Sequence, residues 1–161
     1  MDLHLTSDEP TDAERAAVDA ALDAAIGTDA TGPGGSHAAR GGRLVRERRP
    51  LLLPALLALV DRVGWVSPAG LGHVCRRLGV PPAEAYGVAS FYALLPLTAP
   101  TATQAAHVCV DLACRMRPDA GDLRRRLSAL DDVELHDSPC LGLCDRAPAA
   151  LVSVPGEPPH H

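Results

Sequence analysis

Four of the chain's five cysteines fall into two tight pairs in its last third, Cys109-x4-Cys114 and Cys140-x3-Cys144. Each thiolate carries a negative charge, so four brought together repel one another unless cations lie between them. Two pairs, each closed by a short loop, therefore predict a site for iron or zinc. A [2Fe–2S] cluster takes four thiolates, two on each iron. Spacings of x3 and x4 let two cysteines of one loop reach one iron if the loop curls with its N–H groups turned inward, where they can hydrogen-bond the sulfurs. Structural zinc sites pair cysteines at similar spacings, so both readings remain open on spacing alone. A disulfide framework is disfavoured by the compartment inferred below, and thiol catalysis by the absence of C-x-x-C.

The residues around the pairs carry further expectations. Gly142 stands inside Cys140-Leu-Gly-Leu-Cys144, where a residue free to take positive φ lets the backbone approach a cluster. Leu112, Met116, Leu141 and Leu143 are expected to keep water away. His107 and His136 lie in segments that alternate like strands beside the two loops, and are read as ordinary strand histidines rather than as tuners of a cluster. Cys75 falls on the apolar stripe of a helical segment and is read as a core residue, as free cysteine commonly is.

Composition limits the alternatives. The chain has 161 residues and a formal charge of −5, so broad attraction to nucleic acid is not expected. No run of residues is long and apolar enough to span a bilayer. The N-terminus is acidic and lacks a signal core, so a cytoplasmic protein is expected, with association at the cytoplasmic face of a membrane complex left open. Nothing resembles a P-loop, G-x-G-x-x-G, G-x-S-x-G or H-E-x-x-H.

The elements that must position the cysteines can be read in outline. Thr11 and Glu14 form a capping box ahead of an alanine-rich helix to Ile26, which is expected to bury little. Residues 27–42 read as a flexible linker, and the basic run 43–49 as a solvated segment. Three short helices follow. The first carries Leu52, Leu53, Leu56, Leu57, Leu59, Val60 and Val63 and ends at Gly64. The second is capped by Ser67 before Pro68, carries Leu71, Val74, Cys75 and Leu78, and ends at Gly79. The third opens at Pro81-Pro82 and carries Ala85, Val88, Ala89 and Tyr92. Tyr86, Phe91 and Tyr92 are read as bundle core rather than partner contact. Beyond Pro100 the order is a strand over 103–110, a helix over 119–130 capped by Asp119 with Leu123, Leu127 and Leu130 inward, a strand over 133–136 and a strand over 149–154.

Two independent stretches carry a family likeness. Pro81-Pro-Ala-Glu-Ala-Tyr-Gly-Val-Ala-Ser-Phe-Tyr92 and Cys140-Leu-Gly-Leu-Cys-Asp-Arg-Ala-Pro148, the latter preceded by C-x4-C, resemble motifs of the NuoE-type subunit of bacterial complex I. Relatives of that subunit occur in NAD-reducing hydrogenases and NAD-dependent formate dehydrogenases. Leu52 to Val66 is similar to the family's L-L-P-A-L segment ending in D-R-x-G-W-V. The likeness covers roughly residues 44–152. It implies an α+β chain with an N-terminal helical bundle followed by a minimal thioredoxin-like βαββ ferredoxin domain. The expected boundaries are 1–42 for the N-terminal helix and linker, 43–99 for the bundle, 100–154 for the ferredoxin domain and 155–161 for a tail.

The resemblance also tips the balance from zinc to one [2Fe–2S] cluster held by Cys109, Cys114, Cys140 and Cys144. It implies a non-catalytic electron-transfer subunit, without an NAD or FMN site of its own. The bundle would dock it on an NADH- and FMN-binding flavoprotein subunit of a larger oxidoreductase. Two departures stand out: only 25 residues separate Cys114 from Cys140, fewer than is usual, and the sequence stops where relatives continue with a further strand and helix. An open sheet edge covered by a partner is therefore expected, or fusion to a downstream flavoprotein. The rival readings are a structural-zinc or metal-free interaction module derived from this family, and a stand-alone ferredoxin.

Overall fold

The structure, a computed structural model, describes residues 9–26 and 48–156, so the linker 27–42 and residues 157–161 of the tail fall outside the described residues. It divides into two compact units between Thr98 and Ala99.

The first unit is helical: α1 Asp12–Ile26, α2 Leu52–Val63, α3 Pro68–Leu78 and α4 Pro82–Phe91, with a 3-10 turn at Arg49–Leu51 leading into α2. The capping box forms as the sequence requires. Glu14 accepts from Thr11 N at 2.8 Å and Thr11 Oγ1 accepts from Glu14 N at 3.3 Å. Gly64 and Gly79 stop α2 and α3 in the left-handed region, at φ 87° and 69°. Ser67 caps α3 by accepting from Gly70 N at 2.9 Å. Gly70 also lets α3 approach α2, since a Cβ there would meet Leu59 Cδ2 at 2.9 Å.

Leu52, Ala55, Leu56 and Leu59 of α2, Leu71, Val74, Cys75 and Leu78 of α3, and Ala85 and Ala89 of α4 form the core. Leu57 stays largely out of it. Contrary to the expectation that α1 buries little, its Val18 and Leu22 lie fully inside this core. Two apolar side chains one turn apart suffice because each contributes about 1.5–3 kcal/mol when buried. Polar contacts complete the joint. Glu14 accepts from the α3 cap Ser67, Arg77 pairs with Asp19 and with Asp23 at 2.7 Å, and His73 contacts Asp19 at 2.9 Å.

Two of the aromatics depart from the expectation of bundle core. Tyr86 packs against the core, but Phe91 is 80% and Tyr92 44% exposed, with their rings edge-to-face at 5.2 Å. They stand at the end of α4, beyond Ala85 and Ala89, where no further described element covers them.

The second unit is a three-stranded sheet in the order β2-β1-β3, with β1 Gln104–Cys109, β2 Val133–Ser138 and β3 Ala150–Ser153. β1 runs parallel to β2, with Cys109 opposite Ser138, and antiparallel to β3, with Val108 opposite Ala150. Between β1 and β2 come a single turn, α5 Leu112–Arg115, and the crossover helix α6 Ala120–Ser128. Two side-chain clamps hold the starts of β1 and β2 together. Asp132, left-handed at φ 61°, accepts from Thr103 N at 3.0 Å, and Glu134 accepts from Thr101 N and Oγ1 at 3.0 and 2.9 Å. Burial pulls the other way only weakly at these surface carboxyls. The Thr103 and Thr101 donors therefore hold both below the usual range.

Helix α6 departs from expectation. Asp119 occupies its N-cap position without a side-chain cap, and none of its residues is buried. Leu123 and Leu127 are half-buried and Leu130 is 54% exposed. The helix ends before Leu130, which lies in the turn and cannot continue the inward stripe. Arg124 ties α6 to β2 through Asp137.

Candidate metal centre

Topology explains why two cysteine loops separated in sequence meet. β1 and β2 are parallel neighbours, so both loops leave the same end of the sheet. The second loop must also cross the end of β1 to reach β3 on its far side. Cys109 closes β1, where its N–H donates to Ala149 O at 3.1 Å while Val110 N donates to Ser138 O at 3.0 Å. The central strand is thereby held on both flanks at the residue that carries the first sulfur. Asp111 caps α5, its carboxylate accepting from Leu112 N at 2.7 Å, and the turn places Cys114 inward. The Ala147–Pro148 peptide that leads into β3 is cis.

The sulfurs form two close pairs. Cys140 Sγ and Cys144 Sγ are 3.4 Å apart, and Cys109 and Cys114 are hydrogen-bonded to each other. The pairs differ in environment: Cys109 and Cys114 are buried with Ala149, under Leu141 and Ala147, whereas Cys140 and Cys144 are exposed.

Backbone N–H groups point at the sulfurs from both loops. Asp111 N–H and Leu141 N–H donate to Cys109, Ala149 N–H donates to Cys114, and Gly142 N–H approaches Cys140 Sγ at 3.4 Å. The Asp111 donor, with that of Leu141, holds the Cys109 thiol below its usual range against the effect of burial. Burial pushes the Cys114 thiol up, and neighbouring Cys109 and Cys140 add to the shift. Cys144 is pushed up by its hydrogen bond to Cys140 and by that sulfur's charge, with Cys114 and Cys109 contributing. Cys114 and Cys144 thus each feel sulfurs of the other pair, a repulsion that cations bound nearby would ease.

The donor set fits an iron–sulfur cluster. It offers two dithiolate pairs, N–H donors to three of the four sulfurs, and a glycine at φ 77° where the second loop turns. Among the described residues no three His, Cys, Asp or Glu side chains converge on a point that would hold a single metal ion.

The expected apolar shield is only partly formed. Leu141 packs on the buried pair, but Leu112, Met116 and Leu143 are 60%, 75% and 46% exposed. Leu112 and Met116 are one turn apart on the outer side of α5, the side opposite Cys114. The N–H donors Asp111, Leu141 and Ala149 lie beyond what the sequence reading reached. The one signal for them is an aspartate directly before Leu112-Ala-Cys114, a capping residue type at a helix start.

His107 and His136 lie opposite each other in β1 and β2, with rings stacked at 5.1 Å. His107 is buried, and its Nδ1 has no hydrogen-bond partner among the described residues. Burial holds this imidazole below its usual range, and the neighbouring His136 acts in the same sense. Cys75 lies in the helical core, as expected, where burial pushes its thiol up to about 11.

Cysteine pairs lined by N–H donors at the strand ends of a small mixed sheet define a ferredoxin-type domain. The family match makes this specific: the chain belongs to the thioredoxin-like [2Fe–2S] ferredoxins, whose family model matches residues 42–155. A [2Fe–2S] cluster is the cofactor of that family. Among curated proteins, it is 28% identical over 121 residues to the second subunit of the NADH-quinone oxidoreductase of Thermus thermophilus, a match covering 69% of this chain and 65% of that one. It is 31% identical over 119 residues to the E subunit of the NADH-quinone oxidoreductase of Mycobacterium tuberculosis, covering 66% of this chain and 46% of that one. The corresponding protein of Pseudomonas aeruginosa is 26% identical over 114 residues, with 65% and 68% covered. The chain thus spans about two thirds of the Thermus relative and under half of the mycobacterial one.

Proposed function

We propose that this chain is an electron-transfer subunit that carries one [2Fe–2S] cluster on Cys109, Cys114, Cys140 and Cys144 within an NADH-oxidising or NAD-reducing flavoprotein complex. The observation that carries the reading is the convergence of N–H donors from both loops on the sulfurs. Such donors stabilise thiolate charge without adding a proton, so they suit a site whose net charge changes by one electron. When bound, the cluster supplies one-electron redox chemistry, which a flavin receiving hydride electrons in pairs requires of its neighbour.

The chain's own residues have three tasks in this reading. Cys109 and Cys114 provide the buried, N–H-braced pair of ligands. Leu141 and Ala147 keep water from that side. Cys140 and Cys144, exposed with Leu143 between them in the same loop, form the side through which electrons pass to a partner that covers it. The flavoprotein is that partner, by analogy with complexes whose relatives bear the names above. A place on the cytoplasmic face of a membrane complex agrees with this. No described helix is long and apolar enough to cross a membrane.

Metal analysis tests the proposal. The reconstituted chain should hold about two irons and two labile sulfides and give, once reduced, the paramagnetic resonance of a [2Fe–2S] centre. One zinc without sulfide would reject it. Purification with an NADH-oxidising flavoprotein would support the complex, whereas an isolated monomer from its native source would point to a stand-alone ferredoxin.

A further inference from the structure

The two cysteine pairs differ in a way that a four-ligand site alone does not require. Cys109 and Cys114 are only 6% and 2% exposed, whereas Cys140 and Cys144 are open to solvent with sulfurs 3.4 Å apart. We propose that, in the cluster-free chain, Cys140 and Cys144 close into a reversible disulfide, so that the same two sulfurs serve either as cluster ligands or as a thiol-redox switch. The inference rests on the reading that these residues are ligands.

Three observations support it. A disulfide has its sulfurs about 2.05 Å apart, so closure needs a small approach that side-chain rotation within one loop can supply. Exchange with a soluble disulfide requires access to the attacking sulfur, and only this pair has it. The remaining cysteines are withdrawn: Cys75 lies in the helical core, and Cys109 and Cys114 are packed under Leu141 and Ala147.

The step balances with a low-molecular-weight disulfide such as oxidised glutathione. One thiolate of the pair attacks a glutathione sulfur, the glutathione S–S bond breaks, and one glutathione thiolate leaves. The second cysteine gives its proton to solvent and attacks the mixed disulfide. The Cys140–Cys144 bond forms as the second glutathione leaves. The pair loses two electrons, and oxidised glutathione is reduced to two thiols. Because a cluster needs the sulfurs as thiolates, the oxidised loop cannot accept one.

The full chain, freed of metal by a chelator, would be equilibrated in mixtures of reduced and oxidised glutathione, alkylated, and mapped by peptide mass spectrometry. The expected product lacks two hydrogens, located between Cys140 and Cys144, with Cys75, Cys109 and Cys114 alkylated only after denaturation. Cys144→Ser should instead retain one glutathione on Cys140, and Cys140→Ser one on Cys144. Cluster uptake, followed by visible absorption, should fall by about tenfold or more in the oxidised chain and return with dithiothreitol. Disulfides that involve Cys109 or Cys114, lasting glutathione adducts on the unaltered chain, alkylation of all five thiols without denaturant, or no oxidation would each overturn the proposal. Iron and sulfide are measured separately: a disulfide in a chain that never takes up a cluster would refute the ligand reading alone, and a normal cluster without a disulfide this inference alone.

Discussion

The helical unit and the sheet unit are held together in opposite ways. In the helical unit a continuous core runs through α1 to α4, and the helix ends are capped by Ser67, Gly64, Gly79 and the Thr11–Glu14 box. In the sheet unit the buried apolar residues are Ala106, Val108 and Ala149 with two of the cysteines, and α6 buries none of its residues. Three of its carboxyl-bearing contacts, at Asp132, Glu134 and Asp137, lie near the surface, where such pairs contribute little. The lesson is that the helical unit has a continuous apolar core of its own, while the sheet unit buries little beside its cysteines, so a group bound there is expected to supply a larger share of its stability. Metal binding that organises a small domain is folding energy.

The comparison can be broken most directly at the cysteines. Cys109→Ser or Cys114→Ser should abolish cluster absorption and lower the stability of the sheet unit without unfolding it. Hydrogen exchange should show β1–β3 losing protection by about a thousandfold, with α2–α4 unchanged, because the absent cluster no longer adds its binding energy to the fold. Loss of protection in both units alike would show that they do not differ as described. Next in size, Leu59→Ala in the helical core should cost about 2–5 kcal/mol in denaturant unfolding while leaving the cluster spectrum intact.

Gly70→Ala addresses the α2–α3 contact. With its Cβ 2.9 Å from Leu59 Cδ2, it should cost about 1–3 kcal/mol, and Leu59→Ala should relieve part of that cost in the double mutant.

The smallest effect concerns Glu14. Burial raises this carboxyl, but the donors Ser67 and Thr11 outweigh it and hold it below its usual range. Its stabilising contribution is therefore fully present above the unfolded carboxylate range and is lost as pH falls through the folded value. Glu14→Gln should flatten the acid limb of the helical unit's stability curve, read by circular dichroism, and leave the sheet unit's acid response in place.

Much of the fold is legible in the sequence. The first two helices after Pro50 stop at Gly64 and Gly79 because those residues take positive φ, and the next ones start where proline and serine favour a first turn. Local chemistry decides such ends. The burial of α1 is harder to see, because an alanine-rich helix with two larger apolar residues has no strong periodic signal. What fastens it is Glu14 meeting Ser67 and Arg77 meeting Asp19 and Asp23, more than fifty residues away. The exposure of Phe91 and Tyr92 is equally hidden, since residue type reports the preference for burial and not whether a neighbouring element exists to provide it. The cysteine pairs announce their chemistry, but the difference between them does not show in their spacing.

The sequence by itself determined the donor type, the two short loops and the glycine that lets the second loop turn, because thiolate chemistry and backbone freedom belong to single residues. Only the tertiary structure decided that the loops meet, which pair is buried, and that N–H groups of Asp111, Leu141 and Ala149 turn toward the sulfurs. Those outcomes depend on parallel pairing of β1 with β2 and on the crossing of the second loop over the end of β1. Neither is encoded within reach of any one cysteine.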